Sequence, residues 1–495
     1  MENDQTVFQS PQPPGGQMPP LPGREPLNNP LPQNPPDNPP PPLSGPPPTA
    51  PQEPKPSNEN KRKLPVRGLL RILIGAVVVL IVVSVIFFAV NTLFGGKSNT
   101  ATGGELTFWG LWEDEKTMKA VIDDFQRQNP SIKVKYEKQD VKQYRETLQT
   151  RIDNGNGPDI FLFHNSWYPM LSSILLPFPS KTISKDEYLN SFYPVVQKDL
   201  IQNGAIYGVP MSIDTLAMYV NKDIFSSAGL VYPKTWNDFV DFARILTVKD
   251  EEGKIKTAGA AMGTFDNISH ASDIVSLLFL QNSVDLADME SSRDRALGAL
   301  NFYTSFATDV NNVWDITLDP SILAFSKGNL AMFFGYSWDY FTIKAFNPNL
   351  NFEITTVPQL PNQSINMASY WASGVSAKST HQKEALMFVS FLAQRETEEK
   401  MYLEQSKERT FGEPYARVDL AATASENPLV YPFLTQAPTA GSSFFVDATY
   451  DNGLNQQLNT YLGNAINSIY NAGSTESAFD TLTEGMTQVL SQYGQ

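Results

Sequence analysis

The 495-residue chain has no cysteine and only three histidines. Without cysteine there can be no disulfide, no thiolate metal site and no cysteine nucleophile. Anchoring through a lipidated N-terminal cysteine is excluded as well. His164, His270 and His381 are far apart and lack ligand spacing, so each reads as a surface or capping residue rather than a metal ligand. Positive charge is scarce, with 37 Lys+Arg against 52 Asp+Glu and a net charge of −15. A nucleic-acid partner is therefore not expected, since phosphate binding requires clustered positive charge. Motifs of chemistry are missing too: no GxxxxGK[ST] loop, no GxSxG elbow and no HExxH. No EF-hand loop occurs, and Asp447 to Gly453 (DATYDNG) is too loose a match to count as one. No cofactor, metal or catalytic residue is expected.

What is present divides the chain into segments. Residues 1–64 form a proline-rich tail: of 38 prolines in the chain, 21 lie between Pro11 and Pro56. Such a sequence has too few apolar side chains to offset chain entropy, so a disordered tail of polyproline II character is expected. Residues 69–94 read as one membrane-spanning helix. Ile72 to Phe94 contains no charged residue, and roughly 20 apolar residues span a bilayer core. Lys61, Arg62, Lys63, Arg67 and Arg71 precede the stretch and only Lys97 follows closely. The positive-inside bias then places the tail in the cytoplasm and the rest outside. A cleaved signal peptide is the competing reading; the long tail and long apolar stretch favour an uncleaved, single-pass anchor. Residues 95–104 are a Gly/Ser/Thr/Asn-rich linker. The first 104 residues carry a net charge of +2, so the remainder carries −17.

From Glu105 the pattern is α/β. Glu105–Trp109 is a short strand. Met118, Val121, Ile122 and Phe125 mark one face of a helix that stops at Asn129-Pro130. Ile132–Glu137 alternates as a half-buried strand. Val141, Tyr144, Leu148 and Ile152 mark a second helix, and Asp159–Phe163 is a buried strand. This order predicts a mainly parallel sheet with helices on both faces. Ligands of such sheets sit at the carboxyl ends of strands, here Trp109–Glu113 and His164–Trp167. Farther on, Thr235 caps a helix with Asp238 three residues later. Its inner face is Trp236, Phe239, Val240 and Ala243. Ala385, Leu386, Phe388, Val389 and Leu392 mark another amphipathic helix.

Eight loose motifs follow in order: LTFWGLW, FQRQNPSIKV, GNGPDIFLF, NGAIYGVPMSIDTLAMYVNKDIFSSAGL, YPKTWNDF, AFSKGNLAMFFGYSW, SYWASGVSAKSTHQKEALMFVSFLA and GEPYARVDL. Together they resemble family 1 extracellular solute-binding proteins, the group that includes maltose- and other sugar-binding proteins. The resemblance covers Glu105 to about Asp480. It implies a two-lobed periplasmic-binding-protein fold of type II with a hinge, over residues 105–495. Lobe 1 is expected at about 105–212 and 374–410, and lobe 2 at about 213–373 and 411–495. The chain would cross between lobes near Met211–Tyr219, Tyr370–Val375 and Arg409–Tyr415. The implied function is capture of a mono- or oligosaccharide in the cleft and its delivery to the permease subunits of an ABC importer. Energy would come from a separate subunit, since the chain has no ATP-binding loop. A non-sugar solute such as a polyamine or peptide, a sensor ectodomain, and a carbohydrate-active enzyme are the alternatives.

A sugar site needs flat aromatics against CH faces and carboxylates or amides for hydroxyls. Trp112 is the candidate after the first strand, whereas Trp109 reads as core. Glu113 either accepts hydroxyls or begins the following helix, where the dipole favours negative charge. Asn165, Ser166 and Trp167 follow the third strand and either touch ligand or cap the next turn. The resemblance adds Asp214 at the first crossing, Tyr336 and Trp338 in the second lobe, and Trp371 at the second crossing as the leading stacking residue. It also adds Arg417, for which a surface arginine is the competing reading; Arg409 is a further possibility at the last crossing. Tyr370-Trp371-Ala372-Ser373-Gly374 departs from the Gly-Gly or Gly-Gly-Trp often found there.

Overall fold

A computed structural model describes residues 103–494. The expected tail, the membrane helix and most of the linker lie outside the described residues. Among the described residues, no helix is long and apolar enough to cross a membrane.

The first lobe opens as the periodicity predicts: β1 (Gly104–Gly110), α1 (Glu115–Gln128), β2 (Ile132–Lys138), α2 (Tyr144–Asp153) and β3 (Ile160–His164). Met118, Val121, Ile122 and Phe125 are the buried face of α1, and Tyr144, Leu148 and Ile152 that of α2. Helix α3 (Pro194–Leu200) leads to β4 (Val209–Pro210), followed by β5 (Asp214–Thr215) and β6 (Ala217–Asn221). The second lobe continues with α4 (Trp236–Leu246), β7 (Val248–Lys249), β8 (Ile255–Ala260), α5 (Ala271–Gln281), α6 (Arg293–Thr308), β9 (Leu330–Gly335), α7 (Asp339–Phe346) and β10 (Phe352–Thr355). Strands β11 (Asn366–Ser369) and β12 (Trp371–Val375) return the chain to helices α8 (Gln382–Leu392) and α9 (Arg395–Glu408). Strand β13 (Ala440–Gly441) precedes α10 (Leu454–Tyr470) and α11 (Thr475–Gln492), which pack on each other and on α6.

Two five-stranded sheets result, with orders β2-β1-β3-β12-β4 and β10-β6-β9-β8-β7. The expectation of a mainly parallel sheet holds for β2-β1-β3 only. Strands β12 and β4 pair antiparallel. The reason is topological: β1 to β3 are joined by crossover helices, whereas β12 arrives from the other lobe. Each sheet has its own aromatic core. Phe125 packs 4.9 Å from Phe388 of α8 in the first, and Phe239 packs 5.4 Å from Phe334 in the second. The capping box at Thr235 and Asp238 is present and starts α4; such a cap contributes about 1 kcal/mol.

The hinge is a small sheet in the order β13-β11-β5. The chain runs along this sheet between β4 and β6 and again between β11 and β12. Trp371–Val375 belong to the first sheet. Within Arg409–Tyr415, Phe411 packs 4.7 Å from Phe341 of α7. Ile213 donates to the Pro414 carbonyl along the hinge, but residues 418–424 then pack on α9. Past β13, Ser276 of α5 bonds Ser443 and the Phe445 carbonyl.

Candidate functional site

A cavity of about 360 Å³ opens between the lobes, within the usual range of small-ligand pockets. Its first-lobe wall is aromatic. Trp112, just past β1, is 39% exposed and meets the Trp371 ring edge-on at 5.4 Å. Trp371 opens β12 and is wedged edge-on against Trp167 at 5.0 Å and His164 at 5.3 Å. Trp167 is fully buried and lies behind Trp371, outside the cavity lining. The chain turns into the lobe straight after β3, so Trp167 supports a stacking face rather than presenting one.

Asn165 and Ser166 are buried and do not line the cavity either. Asn165 donates to Asp199 at 2.9 Å and accepts from the Tyr370 amide. Asp199 also accepts from the Tyr370 and Ser442 hydroxyls. Ser166 donates to Asn455 of α10 and lies 2.7 Å from the His164 imidazole. Both residues stitch the end of β3 to the hinge and to the second lobe. Burial pushes the His164 pKa down to about 3, so this imidazole is neutral.

The second-lobe wall is built on the turn after β9. Trp338 is 38% exposed and lines the cavity. It stacks at 4.5 Å on Tyr336. Tyr336 is fully buried behind it, its hydroxyl donating to Asp273 at 2.6 Å. The turn is pinned by Asp339, which accepts the Tyr336 amide at 2.8 Å. Only glycine fits at 335, because a Cβ there would lie 2.6 Å from the Asp339 carboxylate.

His270 is neither a surface nor a capping side chain. Its Nε2 lies 2.9 Å from Asp339 and its Nδ1 lies 2.8 Å from Asp447. A neutral imidazole has one donor, so two carboxylate partners require the imidazolium. Burial opposes that charge, but Asp447 and Asp339 outweigh it and hold the pKa well above the usual value. His270, Asp273 and Asp447 bring ligand-type atoms within 4.8 Å of one another, and both ring nitrogens of His270 are committed to the ion pairs. Asp447 opens the DATYDNG loop. Asp451 of that loop accepts from the Asn455 and Gln456 amides and so caps α10. Ala448, Tyr450 and Asn452 all adopt left-handed backbone, with φ of 53°, 53° and 46°. Ala448 and Tyr450 reach the cavity.

Polar groups converge on the hinge side. Asp214 lines the cavity and accepts from the Ser337 amide at 2.9 Å and from the Ser337 hydroxyl. Burial pushes its pKa up to about 8, against those hydrogen bonds. Glu113 faces the cavity rather than starting the helix, which begins at Glu115. It accepts from Gln405 at 2.8 Å. Burial, then Glu413, raise its pKa to about 7.

Arg417 does not reach the cleft. It clasps Asp419 at 2.9 Å, donates to the Ala393 carbonyl and lies over Phe192 in the first lobe. Arg409 lines the cavity in its place, 3.5 Å from Glu413 and over the Phe341 ring. Backbone pairing of Arg417 with Phe192 turns the chain away from the cleft after Pro414. Of the sequence candidates, the structure thus brings together Trp112, Glu113, Asp214, Trp338 and Trp371. Gln405, Glu413, Phe341 and Tyr450 escaped notice because no local pattern marks them. Gln405 and Glu413 come from a polar helix and an irregular segment more than 290 residues beyond Glu113.

The sequence model of the bacterial extracellular solute-binding protein family matches residues 109–399. The multiple sugar-binding protein of Streptococcus mutans is 26% identical over 304 residues, 59% of this chain and 71% of that protein. A maltooligosaccharide ABC transporter solute-binding lipoprotein of Streptococcus pneumoniae is 24% identical over 213 residues, 40% of this chain and 48% of that protein. Among solved structures, a cyclo/maltodextrin-binding protein complexed with maltotetraose aligns with a TM-score of 0.65 at 18% identity, covering 78% of this chain and 96% of that one. The sugar-binding protein of Xanthomonas citri aligns with a TM-score of 0.65 at 17% identity, covering 79% and 98%. This likeness shows a shared two-lobed fold.

Proposed function

Since the chain belongs to the bacterial extracellular solute-binding protein family, a family of binding proteins rather than enzymes, we propose that its cleft captures a mono- or oligosaccharide for an ABC importer. The observation that carries this reading is the lining of the cavity. Trp112, Trp371 and Trp338 offer flat apolar faces, and Glu113, Gln405 and Asp214 stand beside them. Sugar rings present CH faces and hydroxyls to such a wall. The similarity to a multiple sugar-binding protein and to a maltooligosaccharide solute-binding lipoprotein supports the same solute class. Binding favours the closed arrangement of the lobes, which the permease subunits then receive. The apolar stretch Ile72–Phe94 with its basic N-terminal flank supports a tether: a single-pass anchor holds the domain outside the cell.

Thermal unfolding of the full-length protein, in a detergent without a sugar head group, tests the solute. A sugar that binds only the folded state raises the midpoint, by about 2.7 kcal/mol of added stability at a hundredfold excess over Kd. The sugar should be recovered unchanged. A shift with a polyamine or peptide and none with sugars overturns the assignment. The anchor has its own test. Full-length protein should stay in membranes through a high-salt wash, and release of a fragment starting near Ala101 would rule the anchor out.

A further inference from the structure

We propose that the cleft selects a sugar bearing a protonated amino group over its neutral counterpart. This rests on the sugar-binding reading above and narrows its substrate class. Three carboxyl side chains line the cavity, Glu113, Asp214 and Glu413, and Arg409 is the one cationic side chain among the lining residues. Three of these four groups are already engaged within the protein. Arg409 lies 3.5 Å from Glu413 and its guanidinium covers Phe341 at 5.2 Å. Glu413 also accepts the Ser212 hydroxyl at 2.8 Å. Asp214 accepts from Ser337 and from the Thr215 amide, so both its oxygens are used.

Glu113 is different. Among the described residues its carboxylate has one hydrogen-bond donor, Gln405, on one oxygen. The other oxygen is left for the cavity. The groups facing Glu113 are Gln405 and Arg409 at the end of α9, Glu413 on the hinge segment and Lys138 on β2. Lys138 is drawn off by Asp114, to which it donates at 2.6 Å. Glu413 acts against ionisation of Glu113, and Arg409 acts more weakly for it. An ammonium group on the free Glu113 oxygen offsets that repulsion and brings three donors and no acceptor. The rings of Trp112, Trp371 and Trp338 add attraction for a cation at their faces. A neutral hydroxyl offers one donor and leaves the repulsion in place.

Isothermal titration of the full-length protein at pH 7 and low salt tests this, in a detergent without a sugar head group; at that pH the sugar amine, which titrates like an α-amino group at about pH 7.7–8.0, is mostly protonated. Glucosamine and its β-1,4-linked dimer are compared with glucose, cellobiose and maltose. The amine-bearing sugar of a matched pair should bind at least about tenfold more tightly, equivalent to 1.4 kcal/mol. That ratio should collapse toward one in Glu113→Gln. The unmodified protein supplies a second readout that needs no variant. The ratio should be greatest near pH 7, fall toward pH 5.5 as Glu113 takes up its proton and fall toward pH 9 as the sugar amine loses its own, and it should also fall with added salt. Equal or tighter binding of the neutral partner at pH 7 overturns the amine preference and leaves the sugar reading standing. If no sugar of either kind binds, both fail.

Discussion

Trp371→Ala is expected to abolish the thermal shift that a bound sugar gives and to weaken binding by about 2 kcal/mol or more, the range of a buried aromatic anchor. Trp371 is the one ring that touches both Trp112 and Trp167, so it faces the cavity from a rigid backing. Its indole also sits at the first residue of β12, where the chain has just left the hinge. Removing it deletes a stacking face and frees Trp112 to collapse into the gap. Trp371→Phe keeps a flat ring against Trp167 and should retain most of the affinity. The two variants separate stacking from folding: calorimetric Kd values should differ strongly while unliganded midpoints stay closer together. Unchanged affinity in Trp371→Ala would remove the first-lobe wall from the site.

The largest loss of stability is expected from His270→Ala. The imidazolium bridges Asp339 and Asp447; His270 and Asp339 are buried, whereas Asp447 is half-buried and its pair with His270 is partly screened by water. Removing one partner of a buried ion pair costs roughly 3–5 kcal/mol, because the remaining charge stays buried. Here two carboxylates are left facing each other. Alanine must also accept a left-handed backbone at φ 60°, which adds to the loss. The sign of the pH dependence follows from the raised folded-state value. The His270 contribution is complete below the unfolded pKa of about 6.5 and is lost as pH rises through the higher folded value. Urea unfolding at pH 6 should show the full difference between parent and variant, and the difference should narrow at strongly alkaline pH. Asp447→Asn in the His270→Ala background should recover part of the loss by removing one charge. A difference below about 1 kcal/mol at pH 6 would mean that the ion pairs hold nothing together. Function should suffer as well. Asp339 fixes the turn that presents Trp338, and Asp447 anchors the loop that carries Tyr450.

Local periodicity was enough to read the framework. The alternation in Ile132–Glu137 and the apolar stripes of α1, α2, α4 and α8 lie where the structure places strands and helices. These signals are legible because one buried face repeats every 2 or 3.6 residues along a continuous segment. The direction of β12 was not, because strand pairing between segments two hundred residues apart leaves no mark in either segment. The site shows the same division. Trp112 is legible because it follows the carboxyl end of a strand in this kind of sheet, whereas Trp338 and Trp371 are legible only through the family resemblance. Trp167 and Tyr336 carry the same signal and are buried behind them.

What the sequence by itself determined is the order of elements, the acidity of the domain, the family motifs and the short set of aromatics from which the cleft is built. The tertiary structure decided which ring of each pair faces the cavity, Trp371 over Trp167 and Trp338 over Tyr336. It chose Arg409 over Arg417, since the pairing of Arg417 with Phe192 draws that arginine into the first lobe. It also set Glu113 beside Gln405 and Glu413, and His270 between Asp339 and Asp447. The physical reason is common to all of these. A side chain's orientation at a turn, and the charge state of a buried acid or imidazole, depend on neighbours that the fold brings in from distant parts of the chain.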